Sequence, residues 1–131
     1  MSADAEAAVA TFLAAAPQSL TNVFKGEEKP SDSAIPAASV FVQGYDGPSP
    51  RPVFGSTSIY APHVQVKIRA AQDDYAAGRA RAISIMTMLH RASLSGYVSC
   101  LLIGSGPRYI GVNKAGEPRW TVSVELLVSQ A

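Results

Sequence analysis

The chain has 131 residues, of which 47% are hydrophobic and 16% charged, with a formal net charge of +1. That length fits one domain able to bury roughly two-thirds of its unfolded surface, so the core needs neither disulfides nor a structural metal. The near-zero charge gives no global field to attract a polyanion, the sole cysteine excludes an intramolecular disulfide or a cysteine-based zinc cluster, and a charged fraction below the usual quarter suggests surface covered by a partner.

Residues 1–17 read as an N-terminal helical segment, with the helix over 3–16. Ser2 or Asp4 caps it, Asp4 and Glu6 complement the dipole, and Pro17 stops it. Val9, Phe12 and Leu13 make its buried stripe. The segment lacks the basic stretch of a secretory signal, and no run approaches the ~18 apolar residues of a membrane span. The chain is therefore expected to be made in the cytoplasm and to bind no membrane.

From 18 to 38 the sequence is polar and irregular, a loop signal punctuated by Gly26, Pro30 and Pro36. "ASVFVQGY" then reads as an interior strand, with Val40 and Val42 on one face and Phe41 on the other. Residues 44–60 are rich in glycine and proline. They are expected to form a long mobile loop or irregular hairpin, with Tyr45, Asp46, Arg51 and Phe54 as candidate contact residues.

"APHVQVKIRAA" alternates strictly. Val64, Val66, Ile68 and Ala70 point to the core, and His63, Gln65, Lys67 and Arg69 point out. The next segment, "DDYAAGRARAISIMTMLHRASL", reads as a helix capped by Asp73, with Tyr75, Ala82, Ile85, Met86, Leu89 and Ala92 on the sheet. "YVSCLLIGSGPRYIGV" suggests a strand, a Gly-Ser-Gly-Pro turn and a short extended piece over 109–112. A turn at "NKAGEP" leads into a last alternating strand with Trp120, Val122, Val124, Leu126 and Val128 inward. The expected fold is a single α+β domain over 1–131, an antiparallel or mixed sheet packed against two helices.

Catalytic constellations are missing from the sequence. His63 and His90 fall on different elements and form no metal-ligand pair, and no metal or cofactor is expected. Cys100 lies in an apolar run, which suggests a buried, inert thiol. "GSG" at 104–106 fits neither a nucleophile elbow nor a phosphate loop. Lys67, Arg69, Arg79 and Arg81 could form a small basic patch, but Asp73 and Asp74 interrupt it and no aromatic residues alternate with the bases.

Taken together, "ASVFVQGYDG", "PHVQVKIRA" followed by "DYAAGRARAISIMTMLH", and the closing "PRYIGVNKAGEPRWTVSVELLV" resemble the tail-terminator, or tail-completion, proteins of long-tailed bacteriophages, also called minor capsid proteins. The resemblance runs from about residue 5 to 128. Where that family often carries an Asp-Glu pair before the final arginine, this chain has Asn113 and Glu117. The resemblance implies a virion protein without catalysis. It would form a homo-oligomeric ring, commonly a hexamer, that caps the tail tube at the head-proximal end. Its neighbours would be the major tail-tube protein and the head connector, with DNA passing through the lumen without sequence-specific binding. Gln65, Lys67, Arg69, Arg79 and Arg81 are then candidates for a subunit or ring-stacking interface, facing a neighbour, the lumen or solvent. A head-tail joining protein and an unrelated binding module are the alternatives.

Overall fold

Two alternating segments form the centre of the molecule, β5 (His63–Arg69) and β7 (Pro118–Gln130). They pair antiparallel, with Val64 opposite Val124, Val66 opposite Val122 and Ile68 opposite Trp120. Because side chains alternate along a strand, all six fall on one face, and all are buried. β2 (Val40–Tyr45) pairs antiparallel with the other side of β5 and adds Val40 and Val42 to that layer. A short β1 (Val23–Lys25), within the segment expected to be loop, pairs parallel to β2 and makes the sheet mixed. The computed structural model describes residues 4–15, 20–45, 47, 49, 51–52, 55 and 57–130, the last by its backbone alone. Over these residues the fold is α+β, with seven strands and two helices.

Both helices lie on the face built by the even-numbered residues of β2, β5 and β7. α1 (Ala5–Ala14) starts at Asp4, whose Oδ1 accepts the Ala7 N–H at 3.2 Å, and buries Val9 and Leu13 against β1 and β2. α2 (Tyr75–Leu89) buries Ala82, Ile85 and Leu89 against β5, β7 and the late strand β6 (Ser99–Val112). Its start differs from the expected one. Asp74, not Asp73, holds the cap position and makes no side-chain cap bond. Asp73 adopts φ +61°, in a tight turn where Asp74 N–H donates to Ala71 O. Aspartate tolerates that left-handed conformation better than most residues.

Gly78 permits α2 to approach the sheet. A Cβ there would meet the Trp120 ring and the Ala70 Cβ at 2.5 Å, so only glycine fits without displacing the core. Tyr75, expected in the core, sits instead on its rim. It is half exposed, with its ring 5.3 Å from Tyr109 and 5.1 Å from Trp120.

Within segment 44–60, expected to be loop or irregular hairpin, two short strands pair. β3 (Arg51–Pro52) pairs antiparallel with β4 (Ser58–Tyr60). β4 in turn pairs with the end of β7, Ser58 opposite Gln130 and Tyr60 opposite Val128. This continues the register of β5 on β7, where His63 lies opposite Glu125. Residues 58–69 therefore flank one side of β7 without slipping, and Leu126 N–H donates to Pro62 O where the two strands part.

The Gly-Ser-Gly-Pro sequence is not a turn. β6 runs through it as one strand of 14 residues. Ile103 lies opposite Ser123 and Arg108 opposite Thr121, so residues 104–107 form a bulge facing Val122 alone. Glycines accommodate such an excursion inside a ladder. A second irregularity follows between Tyr109 and Gly111.

Candidate assembly surface

The odd-numbered residues of β2, β5 and β7 face away from the helices. Here the chain covers part of its own sheet. Arg69 points to this face, as its alternation requires, but it is completely buried rather than turned to solvent. The cause is the segment over 28–37, which folds across that end of the face. The Arg69 guanidinium donates through Nε to Ala37 O at 2.8 Å and through Nη2 to Pro36 O at 3.0 Å. Its Nη1 donates to Lys29 O and lies 3.4 Å from Glu28 Oε2. The same guanidinium caps the Phe41 ring, 5.1 Å from its centroid, and Phe24 stacks on Phe41. A buried cation is costly unless its donors are matched, and here carbonyls and carboxylates take them.

Glu28 is the hub of this lock. Its Oε1 lies 3.6 Å from Lys67 Nζ and 3.1 Å from Arg119 Nη1, while Oε2 faces Arg69. Glu117 stands 3.7 Å from Arg69 and accepts the Asn113 Nδ2 hydrogen bond at 2.8 Å. Burial pushes the Glu117 carboxyl up. Hydrogen bonds from Asn113 and Ser31 and the Arg69 charge outweigh that, holding it below the usual carboxylate range. A cleft of about 330 Å³ opens beside these groups, where Glu28, Arg69, Glu117 and Arg119 are engaged with one another.

The four bases Lys67, Arg69, Arg79 and Arg81 do not form one patch. Lys67 and Arg69 lie on the sheet face opposite α2, where Arg79 is exposed on the helix. Arg81 is half-buried and donates to Ala38 O at 3.2 Å and Thr21 O at 3.0 Å, and burial lowers its pKa. Arg69 and Arg81 thus grip residues 36–38 from two directions. Gln65 remains on the open face, opposite Gln43 and Ser123, beside the His63–Glu125 pair at 2.8 Å. Tyr45 is exposed, its ring edge-on to His63 at 5.4 Å, and Arg51 is exposed on β3. Asp46 and Phe54 lie outside the described residues. Cys100 is buried and its thiol is pushed up to about 11 by desolvation, as an inert core cysteine should be.

Sequence reasoning missed Glu28 and Arg119, which lie far apart in the chain. A signal was present: Phe41 shares a face with Lys67 and Arg69, and a buried aromatic among bases implies a cover. It also missed the apolar flank of β6. Leu101 and Ile103 are exposed on the open face, and Tyr109 and Val112 on the helix face.

No family model matches the sequence, and the search of curated proteins finds no relative. Among solved structures, a chain of a structure described as the "virion of native gene transfer agent (GTA) particle" shares the fold. It matches with a TM-score of 0.67 and 19% identity, over 96% of this chain and 95% of its own.

Proposed function

We propose that this protein is a structural component of a phage-like virion, and specifically the ring that ends the tail tube. The observation that carries the reading is the end-to-end fold match to a chain of a virion particle. The sequence resemblance to tail terminators points the same way and selects the role. In this role the protein does no chemistry. Copies form a ring, with six the expected number, at the head-proximal end of the tail. One side of the ring stops addition of tail-tube subunits, and the other receives the head connector. DNA passes through the lumen without sequence readout. The protein is made in the host cytoplasm and ends in the particle.

Shape and charge complementarity between stacked rings would supply the specificity. The internal lock at Glu28 and Arg69 supports this, because it fixes one region of the surface before any partner arrives. Particles assembled without the protein test the role. Overlong tube-like tails are the expected result. Tails of normal length that fail to join heads would instead assign it to head-tail joining.

A further inference from the structure

The Glu28 cluster is built around like charges. Arg69 and Arg119 lie directly opposite one another on β5 and β7, and Lys67 shares their face of the sheet. Like charges set opposite each other across a ladder destabilise it, so the fold must bring anions to them. The chain supplies two. Glu28 is divided among Lys67, Arg69 and Arg119, and Glu117 stands by Arg69.

The cleft of about 330 Å³ beside this cluster then adds cations and no further carboxylate. Lys29, Arg69, Lys114 and Arg119 line it, against Glu28 and Glu117 alone, an excess of two positive charges. Lys29 comes from the segment over 28–37 and Lys114 from the turn between β6 and β7, while the arginines rise from the sheet. Both lysines are exposed, and neither makes an ion pair among the described residues. Arg119 is incompletely used as well. Its Nη1 meets Glu28 at 3.1 Å, but its Nη2 reaches Val112 O only at 3.4 Å. Its Nε is buried without a hydrogen-bond partner among the described residues.

The excess selects the ligand. A carboxylate brings one negative charge, whereas a phosphate group brings about two near neutral pH. Lysine serves phosphate as a mobile point charge and arginine as a fixed fork of donors, and the cleft offers both.

We propose that this cleft binds a phosphate dianion, either the free ion or the phosphate of a nucleotide, with Arg119, Lys29 and Lys114 as its cations. The bound anion balances the excess and links the segment over 28–37 to the β6–β7 turn. It stabilises the folded chain in proportion to its concentration over the dissociation constant. The inference goes beyond the ring reading and stands or falls apart from it, since it concerns what a single chain binds.

The test is thermal unfolding of the full chain at pH 7, with sodium phosphate replacing sodium chloride at constant ionic strength, alongside titration calorimetry. The wild type should bind phosphate saturably. Its Tm should rise by about 10 °C at a concentration a hundred times the dissociation constant. The double variant Lys29→Gln with Lys114→Gln alters only exposed side chains and should keep the wild-type Tm in chloride. It should bind phosphate roughly tenfold more weakly or less. Phosphate also stabilises proteins by exclusion from their surface, an effect common to both chains, so the difference between them reports the site. A nucleoside monophosphate separates the two sources: tighter binding than phosphate assigns the site to a nucleotide, and equal binding to the free ion. Equal phosphate affinity in wild type and variant, or no saturable binding, would overturn the proposal. So would acetate binding as tightly as phosphate. Binding of an oligonucleotide without terminal phosphates, where phosphate itself does not bind, would give the lysines to a DNA backbone and also overturn it.

Discussion

At the β1 end of the sheet the chain closes over its own surface, and at the β6 end it leaves apolar side chains uncovered. The first region is held by polar groups: Arg69, completely buried, grips Ala37 O and Pro36 O, and Glu28 gathers Lys67, Arg69 and Arg119. The second shows Leu101, Ile103, Tyr109 and Val112 to solvent. The difference separates residues that hold the fold from residues free to serve a partner. A cation in the sequence was no guide to that division, since the most prominent basic candidate belongs to the fold.

Substitutions should separate the two regions by size of effect. Arg69→Ala leaves the Ala37, Pro36 and Lys29 carbonyls without their donor and Glu117 without its cation, and should cost about 3–5 kcal/mol in denaturant unfolding. A loss below about 1 kcal/mol would mean that the lock does not hold the segment over 28–37. Gly78→Ala, which pushes a methyl group into Trp120 and Ala70, should cost about 1–3 kcal/mol. It tests the core shared by the two regions, and a neutral result would show that α2 can lift from the sheet freely.

Glu117→Gln should cost about 1–2 kcal/mol at neutral pH, by loss of a charge-assisted contact. Because the folded carboxyl is held below its unfolded value, that contribution is present above the unfolded pKa of about 4.3. It is lost as pH falls through the folded value. Thermal melts of wild type and variant should therefore differ at pH 7 and converge in acid. Ile103→Lys, on the open edge, should change stability by less than about 0.5 kcal/mol. A large loss there would place Ile103 with the residues that hold the fold and erase the contrast.

The parts of the fold legible in sequence are those where one periodicity governs one element. The alternation in 63–69 and 118–128 and the three-and-four spacing of Ala82, Ile85 and Leu89 gave the strands, the helix and their buried faces. β1 was not legible because three residues carry no period, and its pairing with β2 depends on a contact across 17 positions, Val23 to Val40. Gly104-Ser105-Gly106-Pro107 has turn chemistry, yet Thr121 and Ser123 hold both ends of the segment to one ladder, so the surplus residues bulge instead of reversing the chain. The face of Arg69 was legible from alternation, but its burial was not. A strand's own pattern says which way a side chain points, and only a distant segment decides whether water is there. For the candidate surface, the exposed residues of β6 look in sequence like ordinary core residues. Which side of that strand remains unpaired is a property of the sheet order alone.

The unbroken register of residues 58–69 along β7 has a consequence in time. β4 rests against Val128 and Ser129, which lie at the far end of the last strand, so the hairpin of β3 and β4 cannot acquire its sheet neighbour until synthesis has passed residue 130. The opposite end of the same ladder, Arg69 against Arg119, is available earlier. The attachment of β3 and β4 to the sheet is thus among the last contacts that synthesis makes possible.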